Sequence, residues 1–62
     1  MNEPTQLLTI AEAAARLRLS RRTVEQLIHD GELRTVRFGR AVRITERALA
    51  QLIGARERRR VA

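Results

Sequence analysis

Residues 9–31 read TIAEAAARLRLSRRTVEQLIHDG, and this stretch contains two amphipathic helical patterns separated by a short turn. Apolar residues in the first pattern recur at the spacing of one helix face: Ile10, Ala13, Ala14 and Leu17. The same spacing gives the second pattern a buried stripe: Val24, Leu27 and Ile28. We therefore predict two short helices, and the small alanines of the first allow a neighbouring helix to approach closely.

Both predicted helices have a sequence signal at their start. Thr9 and Glu12 predict a capping box, in which each side chain accepts a hydrogen bond from the other residue's backbone amide. Ser20 is the single serine and stands where an N-cap belongs, with no adjacent base that would make it a nucleophile. Gly31 occupies the left-handed C′ position after the second helix. Only a tight turn around residues 18–20 separates the helices, which indicates a helix-turn-helix.

A β-hairpin is predicted after Leu33, because the apolar residues begin to alternate with arginines around Gly39. A two-residue loop, Gly39-Arg40, would mix charged and apolar side chains on each face. A three-residue loop, Gly39-Arg40-Ala41, gives one apolar and one basic face. Its pairs are Phe38 with Val42, Val36 with Ile44 and Arg37 with Arg43. We therefore predict the three-residue loop, and we expect Leu33 to pack inward before the strand begins. The hairpin, residues 36–44, is called the wing below.

The flanking segments complete one small domain. Leu7 and Leu8 predict a very short strand or a hydrophobic clip, and Thr45 is expected to cap a third helix that ends near Arg56. The apolar stripe of that helix is Leu49, Leu52 and Ile53. The predicted fold is mainly α with a small β-hairpin. Its parts are a flexible leader (residues 1–6), the winged helix-turn-helix domain (7–56) and a basic tail (57–62).

Composition excludes several classes of function. A chain of 62 residues shields only about 60% of its unfolded surface on folding, so an enclosed substrate pocket is not expected. The sequence contains no cysteine, one histidine and one aromatic residue, which leaves no thiolate nucleophile and little basis for a metal site. We predict no catalytic residue, no metal and no cofactor. Because no apolar run approaches the ~20 residues of a membrane span and no secretion signal is evident, we expect a cytoplasmic protein.

Charge points to a polyanionic partner. The formal net charge is +6, and all 13 basic residues other than the histidine are arginine, whose planar fork matches phosphate groups and guanine edges. The charge is uneven, since residues 1–15 contain two acids and no base, whereas residues 32–47 contain five arginines and two glutamates. We therefore predict that the partner is double-stranded DNA and that the wing is basic.

The start of the second helix and the wing are the predicted DNA contacts. Free backbone amides at a helix N-terminus attract phosphate, and Thr23 and Gln26 are suited to reading major-groove base edges. Wing arginines can straddle a phosphate backbone or enter a minor groove. The predicted DNA-binding residues are Ser20, Arg21, Arg22, Thr23, Gln26, Arg37, Arg40 and Arg43. The alternative is a merely solvated surface. The prediction requires both elements to line one continuous convex rim.

Several segments together resemble the excisionase-type, MerR-like winged helix-turn-helix family: LTIAEAA (8–14), LSRRTV (19–24), GEL (31–33), VRFG (36–39) and VRI (42–44). The resemblance covers about residues 7–54. It implies a second helix in the major groove, a wing at an adjacent minor groove, and a role as a recombination directionality factor. The sequence departs from the family where Gly is frequent (Arg18), where an aromatic and a basic residue are frequent (Glu25 and Gln26), and where Pro is frequent (Arg34).

The leading functional hypothesis is therefore an excisionase. Such a protein binds repeated sites beside a phage or mobile-element attachment site, bends the duplex and promotes excision by an integrase. Its expected partners are DNA, the integrase and further copies of itself on adjacent sites, in association with the nucleoid. Two alternatives remain open: a small MerR-like transcriptional regulator, and a basic adaptor that grips an acidic protein.

Overall fold

A computed structural model describes residues 6–59 and confirms a winged helix-turn-helix that is mainly α with a small β-hairpin. The elements in chain order are β1 (Leu7–Leu8), α1 (Ile10–Leu17), α2 (Arg21–His29), β2 (Val36–Phe38), β3 (Ala41–Thr45) and α3 (Glu46–Arg59). Residues 1–5 and 60–62 lie outside the described range. That range therefore excludes most of the predicted flexible leader and the end of the predicted basic tail.

The helix starts are held by the predicted caps. Thr9 Oγ1 accepts from the Glu12 amide at 3.0 Å, and Glu12 Oε1 accepts from the Thr9 amide at 2.9 Å. Ser20 Oγ accepts from the Thr23 amide at 3.1 Å. These bonds satisfy backbone donors that the helices themselves leave without partners, so both helix starts are locally specified.

The turn between α1 and α2 depends on a left-handed residue. Arg18 has φ 61° and ψ 39°, and its backbone N–H donates to the carbonyl of Ala15 at 3.1 Å. A residue with a Cβ atom adopts this conformation at a cost, which is why glycine is usual at such positions. The second left-handed position, Gly31 with φ 80°, ends α2 as predicted. The tight turn thus places α2 against α1 at the cost of local backbone strain at Arg18.

The sheet contains three antiparallel strands in the order β1-β3-β2. Leu7 pairs with Thr45 and Leu8 with Ile44, so the first two leucines form a strand. Since β1 ends at Leu8, the start of β3 has no strand beside it on that edge. The wing therefore projects as a two-stranded ribbon beyond the three-stranded part of the sheet.

The predicted register of the wing is wrong. The observed pairs are Val36 with Arg43, Arg37 with Val42 and Phe38 with Ala41, which leaves the two-residue loop Gly39-Arg40. An apolar pattern fixes register only where one face is buried, and all three β2 residues are exposed. Turn geometry decides instead, because Gly39 has φ 62°, the positive value that a type II′ turn requires at its first central residue. Arg37 and Arg43 are therefore not paired, and neither face of the wing is wholly apolar or wholly basic.

The core joins both helices, the sheet and α3. Its nine buried residues are Leu8, Ala13, Ala14, Val24, Leu33, Ile44, Ala48, Leu49 and Leu52. Leu33 is 1% exposed and packs inward ahead of β2, as predicted. Ile53 was expected in the buried stripe of α3 but is 45% exposed. The stripe is centred near Leu52 because Ala48 also faces inward, which leaves Ile53 about a quarter turn away.

The third helix is longer than predicted and is anchored at both ends. Thr45 Oγ1 accepts from the Ala48 amide at 3.0 Å, which confirms the predicted cap. Gly54 does not end the helix, which continues to Arg59, beyond the expected end near Arg56. Nε and Nη2 of Arg56 donate to Glu32 Oε1 at 3.0 and 2.9 Å. This contact ties the last turns of α3 to the segment that follows α2.

Candidate nucleic-acid interface

The first turns of α2 present both basic and hydrogen-bonding side chains to solvent. Arg21, Arg22, Thr23 and Gln26 are all exposed, while Val24 beneath them is fully buried. The burial of Val24 fixes the rotation of the helix about its axis, so the polar side must face outward. This rotation makes the predicted α2 contacts accessible to a partner.

Hydrogen bonds within α2 hold several of these side chains before any partner arrives. The hydroxyl oxygens of Ser20 and Thr23 lie 2.8 Å apart, and Ser20 is also the helix cap. Gln26 Nε2 donates to Asp30 Oδ1 at 3.0 Å. These bonds give the polar side chains of α2 a preferred orientation, which a base or phosphate contact would have to keep or replace.

A further contact on α2 was not predicted. Arg21 Nε donates to Glu25 Oε2 at 3.2 Å, and both side chains are more than half exposed. Their spacing of four residues is the signal that could have revealed the pair. Glu25 thus partly neutralises the arginine at the start of the helix.

The three wing arginines differ in their surroundings. Arg37 in β2 and Arg40 in the loop are exposed, whereas Arg43 in β3 is half-buried. Nη1 of Arg43 donates to the carbonyl of Val42 at 2.8 Å, so its guanidinium group folds back on its own strand. The wing therefore has two exposed cations and one that is held close to the sheet.

Arg21, Arg40 and Arg43 line one shared cleft of about 290 Å³, called the arginine cleft below. One wall is the edge of β3 that β1 leaves free, and the other is the start of α1. The remaining lining residues are Thr9, Ile10, Ala11, Ala41 and Val42. Arg21 at the start of α2 thus shares a concave cleft with Arg40 and Arg43 of the wing, and the continuous convex rim that the sequence suggests stays a prediction. The contribution of residues 9–11 was not predicted, since it depends on how α1 packs beside the wing.

Arg22, Thr23, Gln26 and Arg37 do not line the cleft. Within residues 6–59, no carboxylate lies within 4.0 Å of Arg22, Arg37, Arg40 or Arg43. The arginines that do form ion pairs are Arg16, Arg21, Arg56 and Arg59. Most of the charge predicted to meet DNA is therefore not neutralised by neighbouring acids in the described part of the protein.

No group of three His, Cys, Asp or Glu side chains among residues 6–59 is placed to hold a metal ion. None of the described helices combines the length and apolar character needed to cross a membrane.

Comparison with known proteins gives a consistent result. The helix-turn-helix domain family matches residues 7–57. Two proteins of Mycobacterium tuberculosis, from strains CDC 1551 and H37Rv, are each 49% identical over 49 residues, which is 79% of this chain and 63% of the relative. Both are named as candidate DNA-binding proteins. The chain thus spans less than two thirds of the length of these relatives. No solved structure shows a significant match.

Proposed function

The chain belongs to the helix-turn-helix domain family, and we propose that it binds double-stranded DNA through α2 and the wing. In this arrangement α2 lies in the major groove and the wing contacts the adjacent minor groove. Domains with this motif place their second helix in the major groove with its N-terminal residues near the bases. The names of the two mycobacterial relatives agree with the proposal.

The observation that carries the proposal is the arginine cleft. A helix in one groove and a ribbon in the next must have a single sugar-phosphate strand running between them. Arg21 from the start of α2 and Arg40 and Arg43 from the wing line one cleft, whose walls are the free edge of β3 and the start of α1. Guanidinium groups bind phosphate oxygens in bidentate fashion, so the cleft suits that intervening strand.

The other predicted residues take complementary roles in this proposal. Arg22 and Arg37 neutralise phosphates on either side of the cleft, and Thr23 and Gln26 face the major-groove base edges. Gln is suited to adenine, whose N6 and N7 atoms offer one donor and one acceptor. Ser20 keeps the helix start intact and leaves its neighbouring amides directed at the backbone.

We further propose that the protein is an excisionase, a recombination directionality factor. It binds repeated sites near an attachment site, bends the duplex and assists an integrase in excision, without a covalent step of its own. The support is the family resemblance. One such domain contacts few base pairs, so several copies side by side on DNA, in the nucleoid of the cytoplasm, supply the specificity.

Two experiments test the proposal, one for DNA binding and one for the excisionase role. Titration of labelled duplex DNA at near-physiological salt, with random competitor DNA, is expected to recover a preferred site. If no site-preferring complex forms, DNA recognition is the wrong function and a protein-adaptor role gains support. Excision reconstituted with purified integrase and attachment-site DNA is expected to require the protein. Site-specific binding with excision that proceeds equally well without the protein would indicate a transcriptional regulator of the same fold.

A further inference from the structure

We infer that Phe38 is a wedge that enters the DNA minor groove and unstacks a base step, so that this one side chain produces most of the bend. The inference rests on the proposed function and assigns the bending to a residue outside the predicted DNA-binding set. Phe38 is the single aromatic residue of the chain and is 54% exposed, the largest exposure among its large apolar side chains in residues 6–59.

The position of Phe38 in the wing is the first argument. It is the last residue of β2, directly before the loop Gly39-Arg40, and it pairs with Ala41. Ala41 lines the arginine cleft. The observed register therefore places Phe38 at the tip of the wing, across β3 from the free edge that borders the cleft, whereas the expected three-residue loop would have placed it opposite Val42.

The face of the sheet on which Phe38 lies is the second argument. Residues paired across antiparallel strands share a face, and side chains alternate along each strand. Ile44 of β3 is fully buried, so Ala41 and its partner Phe38 lie on the opposite face. Phe38 is 54% exposed and belongs neither to the buried core nor to the apolar residues that pack against it.

The arginines near Phe38 indicate an anionic partner for the tip of the wing. Arg37 and Arg40 stand on either side of Phe38 and Gly39 in the sequence, and no carboxylate of residues 6–59 lies within 4.0 Å of either guanidinium group. An apolar side chain at a wing tip that also carries two such cations, Arg40 in the loop and Arg37 on the opposite face of the wing, suits a surface that is anionic at its rim and apolar within. A DNA minor groove has this character, since phosphates line its walls and stacked bases form its floor. Inserted phenylalanine side chains are known to unstack base steps and to kink the duplex toward the major groove.

Other exposed apolar residues do not share these features. Leu7 lies in β1, Leu19 in the turn between α1 and α2, and Ile53 on α3, so none of them belongs to the wing. Val36 is 37% exposed and lies on the same face of β2 as Phe38, but two residues further from the loop. Val36 is therefore the matched control residue for the wedge.

The test compares wild-type protein with Phe38→Ala, Phe38→Leu and Val36→Ala on a 30-base-pair duplex that carries the site recovered by selection. The bend is measured by energy transfer between dyes at the duplex ends, at saturating protein. Base unstacking is measured by the fluorescence of 2-aminopurine placed in turn at each adenine of the site. Binding affinity and the thermal unfolding midpoint are recorded for every variant.

Phe38→Ala is expected to lose roughly half or more of the bend and the 2-aminopurine signal, with affinity lowered by about 3- to 10-fold. Its unfolding midpoint should be nearly unchanged because the ring is exposed. Phe38→Leu should retain part of both DNA signals, since leucine also acts as a wedge, and Val36→Ala should match wild type. Wild-type bending and unstacking by Phe38→Ala would overturn the inference and leave DNA binding intact. A wild-type protein that binds its site without unstacking any base would also overturn it, and one that binds no DNA would overturn the proposed function as well.

Discussion

Arg21 and Glu25 form an ion pair along the exposed side of α2, with Nε of the arginine 3.2 Å from Oε2 of the glutamate. The same arginine lines the arginine cleft, where we place a DNA phosphate. A carboxylate at this position therefore has two opposing effects. It orients Arg21 before DNA arrives, and it repels the anionic backbone that Arg21 is proposed to bind.

Replacement of the acid tests which effect is larger. Glu25→Gln is expected to raise the affinity for random-sequence duplex by about two- to fivefold, equivalent to roughly 0.4–1 kcal/mol, because the repulsion extends over several phosphates. Glu57→Gln changes the net charge equally on α3, away from the cleft, and should have a smaller effect. Equal gains for the two variants would show that only net charge matters. A loss of affinity in Glu25→Gln would show that orientation of Arg21 is the larger effect.

Two substitutions of Ser20 distinguish its effect on stability from its effect on DNA binding. Ser20→Ala removes the cap of α2 and should lower the free energy of unfolding by about 1 kcal/mol. Ser20→Asp restores a cap and should recover that stability, but it sets a carboxylate beside the phosphate that α2 binds. We therefore expect Ser20→Asp to be as stable as wild type in urea unfolding and to bind DNA more weakly. Undiminished affinity in this variant would place the start of α2 away from the backbone.

A substitution in the strained turn at Arg18 should stabilise the protein. Because its φ is 61°, Arg18→Gly should relieve left-handed strain and raise the free energy of unfolding by about 0.5–1 kcal/mol, net of the added flexibility of the unfolded chain. For a domain of this size this corresponds to a rise of several degrees in the unfolding midpoint. Arg18→Ala removes the same side chain but keeps the strain, so it should give no such gain. A similar midpoint for both variants would mean that the strain is negligible.

Two apolar residues that differ widely in burial, Leu33 and Ile53, should respond very differently to truncation. Leu33 is 1% exposed, and Leu33→Ala should cost about 2–5 kcal/mol. A loss of this size leaves so small a domain largely unfolded, since a core of this size supplies only about 3–5 kcal/mol. Ile53→Ala, at a site 45% exposed, should cost less than about 1 kcal/mol. Thermal melts followed by circular dichroism measure both changes, and equal losses would contradict the observed packing.

Local signals in the sequence predicted the helix ends well. The Thr9–Glu12 capping box, the Ser20 cap and the left-handed Gly31 each involve residues within one helical turn of one another. Their geometry follows from backbone chemistry that does not depend on distant parts of the chain. The helix-turn-helix was therefore predictable from short segments alone.

The predictions from sequence were wrong where the residues concerned are not buried, because an apolar pattern then does not determine the structure. The apolar alternation around Phe38 suggested one covered face, but the wing projects beyond the core and the Gly39 turn fixes its register instead. Ile53 matched the helical spacing, yet the buried stripe of α3 is centred near Leu52, which leaves Ile53 exposed. The arginine cleft depends on how α1 and the wing pack about Ile44, which local patterns do not encode.

The salt dependence of DNA binding tests the shared cleft most directly. If Arg21, Arg22, Arg37, Arg40 and Arg43 neutralise five phosphates, the slope of log affinity against log salt should be near −4 to −5. The double variant Arg21→Gln with Arg40→Gln removes one cation from α2 and one from the wing, and the slope should become shallower by about 2. The control double variant, Arg47→Gln with Arg58→Gln, lowers the net charge by the same amount but changes residues that do not line the cleft. It should keep the wild-type slope to within about 0.5. Equal slopes for the two double variants would contradict the proposal that α2 and the wing bind phosphates of the same DNA strand.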